Sequence, residues 1–514
     1  MKFYKTKVIM IAVVLTAICF AQNKKELRAN LSQTFKKGST KEIVLARVGS
    51  KVITVQEFYE RSEYTIRPQY AKGNSELEKK IILNSLIAEK MLALEKEKES
   101  KLFDQKKFHQ TILGRKEQMM RHLLFYQEGY NKVKIDSAKF VQQFKVAGRE
   151  YDVEFVNIKE EHEAQYIQRQ LFTDSVSFKQ MFTELTGDTI VPHYNVKWNS
   201  PEYPQVSEIL YNEKNPEKGK IYGPLKLDET YLFFKVKGWT DKPAFTHNQQ
   251  TMRYNNVKEK LLMDGGVNEY AKFIHKVMQG KKLEFDRNVF FKVVNIFAPV
   301  YNQSVKDVKE KFADRNLKKN EDAHNKIFEL GNDLAAIKNE ALMTIDGKIW
   351  TVEMFADEIA KHPLVFRNKN FAGKDFPKHF KLAIVDLIRD KYLTEVAYER
   401  GLDKEFIVER TGKMWTDALI SFYEQNQMMA QNGIKEFLTY NVVKDFFTPY
   451  IEKLQKKYSN QIEVNIDAFI KLKLTRIDMF ALEKNVPYPI IVPAFPNITV
   501  DYHLDYGKKM DKNK

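Results

Sequence analysis

The feature that most limits the fold of this chain is a repeat. Residues 45–58 read Leu-Ala-Arg-Val-Gly-Ser-Lys-Val-Ile-Thr-Val-Gln-Glu-Phe, and residues 342–355 read Leu-Met-Thr-Ile-Asp-Gly-Lys-Ile-Trp-Thr-Val-Glu-Met-Phe. At an offset of 297 (342 − 45), Leu45, Lys51, Thr54, Val55 and Phe58 fall on Leu342, Lys348, Thr351, Val352 and Phe355. Gly49-Ser50 and Asp346-Gly347 are two-residue hairpin turns between short apolar strands. Thr54 and Thr351 stand where a helix N-cap belongs, and Glu57 completes a capping box in the first copy. Met354 replaces that glutamate, so the second cap is expected to be weaker. Apolar residues then recur at helical spacing. They are Leu83, Leu86, Ile87, Met91 and Leu94 in one copy, and Ile384, Leu387, Ile388, Tyr392 and Val396 in the other. A further amphipathic helix follows each: Ile112, Met119, Met120, Leu123 and Leu124, then Trp415, Ala418, Leu419 and Phe422. Two related modules follow, each a hairpin and then helices.

The segment between them has another character. Val153–Ile158 alternates like a strand, 164–171 and 178–185 read as short helices, and Tyr231–Val236 is a second strand. Helix returns over 250–280 and 437–458, which are expected to pack on the modules. Residues 305–340 are a highly charged helical or linker stretch. Pro487, Pro489, Pro493 and Pro496 force extended backbone, and Lys508–Lys514 reads as a frayed basic tail. The expected organisation is a signal segment (1–21), an N-terminal helical module (22–149), an α+β insert (150–241), returning helices and charged linker (242–335), a second helical module (336–475) and an extended C-terminal segment (476–514). The fold class is multidomain and mainly α, with one α+β domain inserted.

Residues 1–21 have the form of a secretory signal. Lys2, Lys5 and Lys7 precede an uncharged stretch from Val8 to Ala21 that is short for a membrane span. An uncleaved anchor is the alternative. A lipid anchor at Cys19, the single cysteine of the chain, fits less well because Ile18 precedes it. Cleavage after Ala21 leaves a chain with no cysteine, which suits an oxidising compartment. The expected location is the periplasm. The net charge of +16 falls to +13 (16 − 3) when those lysines leave. The remaining lysines are interleaved with acids, as in Glu89-Lys90 and Glu95-Lys96-Glu97-Lys98, which reads as a solvated helical surface. Nucleic acid is not an expected partner; an anionic membrane surface is a possible one.

The segment Val44–Phe58 behind a signal peptide resembles the start of the chaperone module in the SurA/PrsA group of exported folding factors. The insert resembles their parvulin-type prolyl isomerase domain, closing with Lys218-Gly219-Lys220-Ile221-Tyr222-Gly223-Pro224 and Tyr231–Val236. Val196-Lys197-Trp198 resembles the Leu-Gly-Trp element of that family, with Lys197 in place of Gly, and Ser177-Phe178 its Asp-Phe helix entry. The resemblance implies ATP-independent holding of unfolded exported polypeptides, outer-membrane β-barrels above all. It also implies Phe155, Trp198, Tyr231 and Phe233 as substrate-binding residues. Active parvulins carry a histidine in the first strand and another in the last. Here those strands offer Glu154, Phe155 and Tyr231–Phe234, so a degenerate isomerase is expected and no catalytic residue is assigned. His162 and His193 are the nearby substitutes. An active isomerase, or an envelope-surface binding protein, are the other classes.

Chemistry of other kinds has no foothold. The ten histidines are dispersed. There is no His-x-x-x-His pair, no Gly-x-Ser-x-Gly elbow and no phosphate-binding glycine loop. No metal and no cofactor are expected. Met119, Met120, Met428 and Met429 are candidates for adaptable client surface, with core packing as the alternative.

Overall fold

The computed structural model describes residues 42–198, 204–212, 216–227, 230–301, 331–367, 373–434, 439–474, 488 and 491–510. The signal segment with Cys19, residues 305–330, Pro487, Pro489 and residues 511–514 lie outside them. Among the described residues the protein is mainly helical, with three small sheets.

The first hairpin is β1 (Val44–Val48) and β2 (Lys51–Thr54), turning at Gly49 with φ +58°. Thr54 caps α1 (Val55–Glu63), its Oγ1 accepting from the Glu57 N–H at 3.0 Å. The expected capping box does not form. The Glu57 carboxylate turns inward to Lys90 Nζ at 2.8 Å, because a buried ammonium makes the stronger demand on it. A capping box forms instead between Ser75 and Glu78, at the start of α2 (Glu76–Lys96). Then comes α3 (Lys106–Glu128).

The insert follows. Its elements are α4 (Ser137–Val146), β3 (Arg149–Ile158), α5 (Glu161–Phe172), α6 (Phe178–Thr186), β4 (His193–Lys197), α7 (Pro204–Asn212), β5 (Ile221–Leu227) and β6 (Thr230–Asp241). The strands form an antiparallel sheet in the order β4-β3-β6-β5. The long helix α8 (His247–Met278) leads out of it.

The second unit repeats the first. It contains β7 (Leu283–Phe285), α9 (Arg287–Tyr301), β8 (Ala341–Ile345), β9 (Lys348–Thr351), α10 (Val352–Lys361), α11 (Phe376–Glu399) and α12 (Phe406–Gln431). Asp346 and Gly347 both have positive φ, +49° and +79°, the type I′ geometry that Asp-Gly supports. Thr351 caps α10 through the Met354 N–H at 3.3 Å, longer than in the first copy. Phe290, Phe297, Phe355, Phe376 and Phe380 fill its core.

The third helices change places. Helix α12 leaves the second unit and packs on α2 and α3, while α3 leaves the first unit and packs on α10, α11 and α12. Helix α13 (Thr448–Tyr458) and β10 (Ile462–Val464) also belong to the first core, where β10 pairs with β1. So the elements after residue 406, grouped with the second module on sequence, close the first. The basic tail is also corrected. Lys508 and Lys509 form β11, parallel to Glu463 and Val464, because buried Phe495 and Ile498 pin the preceding chain to that core.

Both crossings hide charge. Asp417 on α12 accepts from Lys51 Nζ at 2.7 Å and Lys90 Nζ at 3.0 Å. Beside it, Arg61 grips Glu89 at 2.8 and 2.7 Å, and Arg410 grips Glu60 with two contacts of 3.0 Å. Glu89 and Lys90, which the sequence places on a solvated surface, are only 2% and 1% exposed, because α12 covers that face of α2. Burial opposes the Lys90 charge, but Glu57, Asp417 and Glu89 outweigh it and hold its pKa above the ordinary value.

The other crossing has a counterpart 300 positions earlier (417 − 117). Glu117 on α3 accepts from His362 at 2.5 Å and from the Tyr398 hydroxyl at 3.0 Å. Arg121 donates to Thr394 Oγ1 at 2.6 Å and to His362 Nδ1 at 3.3 Å. That donation assigns the imidazole proton to Nε2. Gly114 lets α3 approach this closely: a Cβ there would lie 2.0 Å from the Lys361 carbonyl oxygen. His122 donates from Nδ1 to the Tyr488 carbonyl at 2.6 Å, and burial lowers its pKa to about 4.

Two outcomes are expected. Asp417→Ala removes a buried carboxylate shared by two cations, leaving Lys90 to Glu57 and Lys51 to the exposed Glu97, and lowers unfolding stability by about 1.5–3 kcal/mol in urea titrations, whereas Glu99→Ala changes it by less than about 0.5 kcal/mol. The unfolded chain protonates its histidines near pH 6.5, but folded His122 waits until about 4. Burial also depresses folded His362. Stability therefore falls as pH drops from 6.5 toward 4. His122 alone contributes a loss of about 2 kcal/mol between pH 7 and pH 5, and His122→Gln flattens that slope.

Candidate functional site

Side chains alternate along a strand, so β3 serves two faces of the insert's sheet. Tyr151, Val153 and Phe155 face α4, α7 and α8, in a core with Trp198, Tyr211 and Phe234. Val156 and Ile158 face α5 and α6, with Tyr231 and Phe233. The four candidate residues therefore split: Phe155 and Trp198 on one face, Tyr231 and Phe233 on the other. Trp198 and Phe233 are buried; Phe155 and Tyr231 are half-buried.

The first face is locked by an aromatic knot. The Tyr211 hydroxyl lies 2.6 Å from the Arg149 carbonyl and 3.0 Å from that of Val196. Its ring meets Trp198 and Tyr151 edge-on, with centroids 5.1 and 5.3 Å apart. Burial pushes the Tyr211 phenol well above its ordinary pKa. On the same face Tyr222 stacks on Phe234 at 5.0 Å.

The second face is half apolar and half charged. Beyond the cover of α5 and α6, Glu150, Asp152 and Glu154 line β3. Asp152 accepts from His193 Nδ1 at 3.0 Å and sits 3.5 Å from Lys237, while Glu154 is 3.8 Å from Lys235. Glu150 takes Lys242 at 2.7 Å. His193 is the sheet's one histidine, and it lies on β4 rather than on β3 or β6. His162 is exposed on the first turn of α5. Exposed ion pairs of this kind contribute little stability and mark a wet surface.

Large apolar side chains also stand in solvent. Tyr166 (63% exposed) and Phe172 on α5, Leu185 on α6, Ile190 (83%) and Tyr194 occur within one stretch of the insert. The pattern was there to be read. Ala164, Ile167 and Leu171 take the buried stripe of α5, and Tyr166 and Phe172 fall outside it. The methionines are not such a surface: Met119, Met120 and Met429 are buried and Met428 is half-buried in the first core. Among the described residues, no group of three or more His, Cys, Asp or Glu is placed to hold a metal. No described helix is long and apolar enough to cross a membrane.

No protein-family profile and no curated protein sequence matches the chain. Among solved structures, the foldase protein PrsA from Streptococcus pneumoniae aligns with 43% of this chain and 91% of its own, at 11% identity and a TM-score of 0.20. At that score nothing about this chain follows from the likeness.

Packing and exposed roles separate by mutation. Phe233→Ala, which empties a fully buried site, is expected to cost about 3–5 kcal/mol of stability. Tyr166→Ser is expected to stay within about 0.5 kcal/mol of wild type in the same urea titration.

Proposed function

We propose that this chain is an exported, ATP-independent chaperone that holds unfolded envelope or outer-membrane polypeptides. Its parvulin-like insert binds them without isomerising proline. The observation that carries the reading is the insert itself: exposed apolar side chains from Tyr166 to Tyr194, beside strands β3 and β6 that hold no histidine. Twisting a prolyl bond meets a barrier of about 18–20 kcal/mol. Lowering it takes polar groups aimed at the twisted carbonyl. The cluster around Phe155 packs aromatic and aliphatic side chains instead.

Holding needs no covalent step. Strands of outer-membrane barrels alternate apolar and polar residues. Weak apolar contacts on one chain reinforce one another through their linkage. Binding only the unfolded client opposes its aggregation by mass action. Phe155 and Tyr231, which keep exposed surface, touch the client; Trp198 and Phe233 hold the sheet in shape. The charged sequence 1–21 sends the chain to the periplasm.

The test uses residues 22–514 without nucleotide. At near-stoichiometric ratios the protein is expected to suppress light scattering from a urea-diluted outer-membrane barrel, which then folds when lipid is added. No suppression at excess contradicts the reading. The His193–Asp152 bond is the one polar pair that favours an active isomerase. Proline isomerisation of a model peptide at a rate abolished by His193→Ala would establish that reading instead.

A further inference from the structure

Where α3 crosses α12, Arg115 lies over the Trp415 ring, its guanidinium carbon 4.5 Å from the ring centroid. Its other polar contact is Gln118 Oε1 at 3.5 Å. Lys90, Arg61 and Arg410, buried in the same region, each meet a carboxylate. Arg115 meets none among the described residues, and burial lowers its pKa to about 10. Trp415 is buried, and its Nε1–H finds no acceptor among the described residues. The next residue, Lys116, lays its stem across α12 at Gly412, 3.0 Å from where a Cβ would sit. Two adjacent cations and an unused indole donor thus converge on one turn of α12.

An arginine in partial burial without an anion is costly unless a ligand supplies one. Contact with the indole face holds the guanidinium in place and leaves N–H groups for a planar, two-pronged acceptor. Half-buried Ile112 and Leu419, packed with Phe103 and Phe108, adjoin the same place. We propose that Arg115, Lys116 and Trp415 form a binding site for a carboxylate presented within an apolar stretch of bound polypeptide. The site deepens the chaperone reading, on which its biological ligand rests: it selects acidic side chains in apolar client segments.

Calorimetric titration of residues 22–514 tests it with three probes: an alternating Leu-Glu hexapeptide, its Leu-Gln counterpart and inorganic phosphate. The Glu peptide is expected to bind at least tenfold more tightly than the Gln peptide, and more weakly in high salt. Arg115→Gln is expected to reduce that affinity at least tenfold with Tm little changed, since it strands no carboxylate and leaves only the half-buried Gln118 without that donor. If that variant unfolds, Lys116→Gln, whose side chain is only partly covered, serves instead. Equal affinity for the two peptides, phosphate bound as tightly as the Glu peptide, no binding, or unchanged affinity in the variant overturns the site. Light scattering separates the two readings. Suppression of a client without acidic residues that survives Arg115→Gln leaves the chaperone reading standing whatever the peptides do.

Discussion

Asp417 is the residue on which the rest of the architecture turns. It sits between Lys90 and Lys51, two cations contributed by the first unit, near the middle of the helix Phe406–Gln431 that follows from the second. Once α12 lies there, α2 loses its solvent face, the Arg61–Glu89 pair is closed off, and Arg410 of α12 takes the Glu60 carboxylate of α1. The C-terminal chain then has a surface to follow. Arg61 reaches the Ala494 carbonyl at 2.8 Å, and the chain ends by pairing with β10. Glu117 plays the matching part for α3 against His362 and Tyr398. Buried ion pairs add little net stability compared with apolar packing, yet breaking one is expensive. At these crossings they set the register: a helix displaced by one turn would strand charge on both sides.

Much of this was legible in residues. Turn chemistry gave away both hairpins, because Gly-Ser and Asp-Gly are suited to positive φ. Threonine caps and apolar stripes located the helices that follow. Periodicity, however, says which face of a helix is buried and not what buries it. Leu83 to Leu94 announce an apolar stripe, but nothing in α2 announces that Glu89 and Lys90 will also be covered, since the helix that covers them, with the Lys90 partner Asp417, lies more than 300 residues away. Glu57 misleads for the same reason. Its spacing from Thr54 fits a local cap, and a distant lysine takes it.

The candidate site shows the opposite limit. Phe155, Tyr231 and Phe233 come from neighbouring strands and Trp198 follows directly on a third, and the alternation of side chains along those strands puts Phe155 with Trp198 on one face and Tyr231 with Phe233 on the other. Of the residues that do stand in solvent, Tyr166 and Phe172 were visible as apolar positions off the helical stripe of α5, whereas Ile190 lies in the bend after α6. The tail is a further case. Lys508 and Lys509 look like solvated charge, and only the anchoring of Phe495 and Ile498 makes them a strand.

The interlocked units form a frame, and the insert adds a run of exposed apolar side chains from Tyr166 to Tyr194. Hydrogen exchange with and without a bound unfolded outer-membrane barrel tests that division directly. The account requires slower exchange on 161–194, with α2 and α12 unchanged because they are already protected. Protection confined to the buried core around Trp198 and Tyr211, or no protection within the insert, would contradict it.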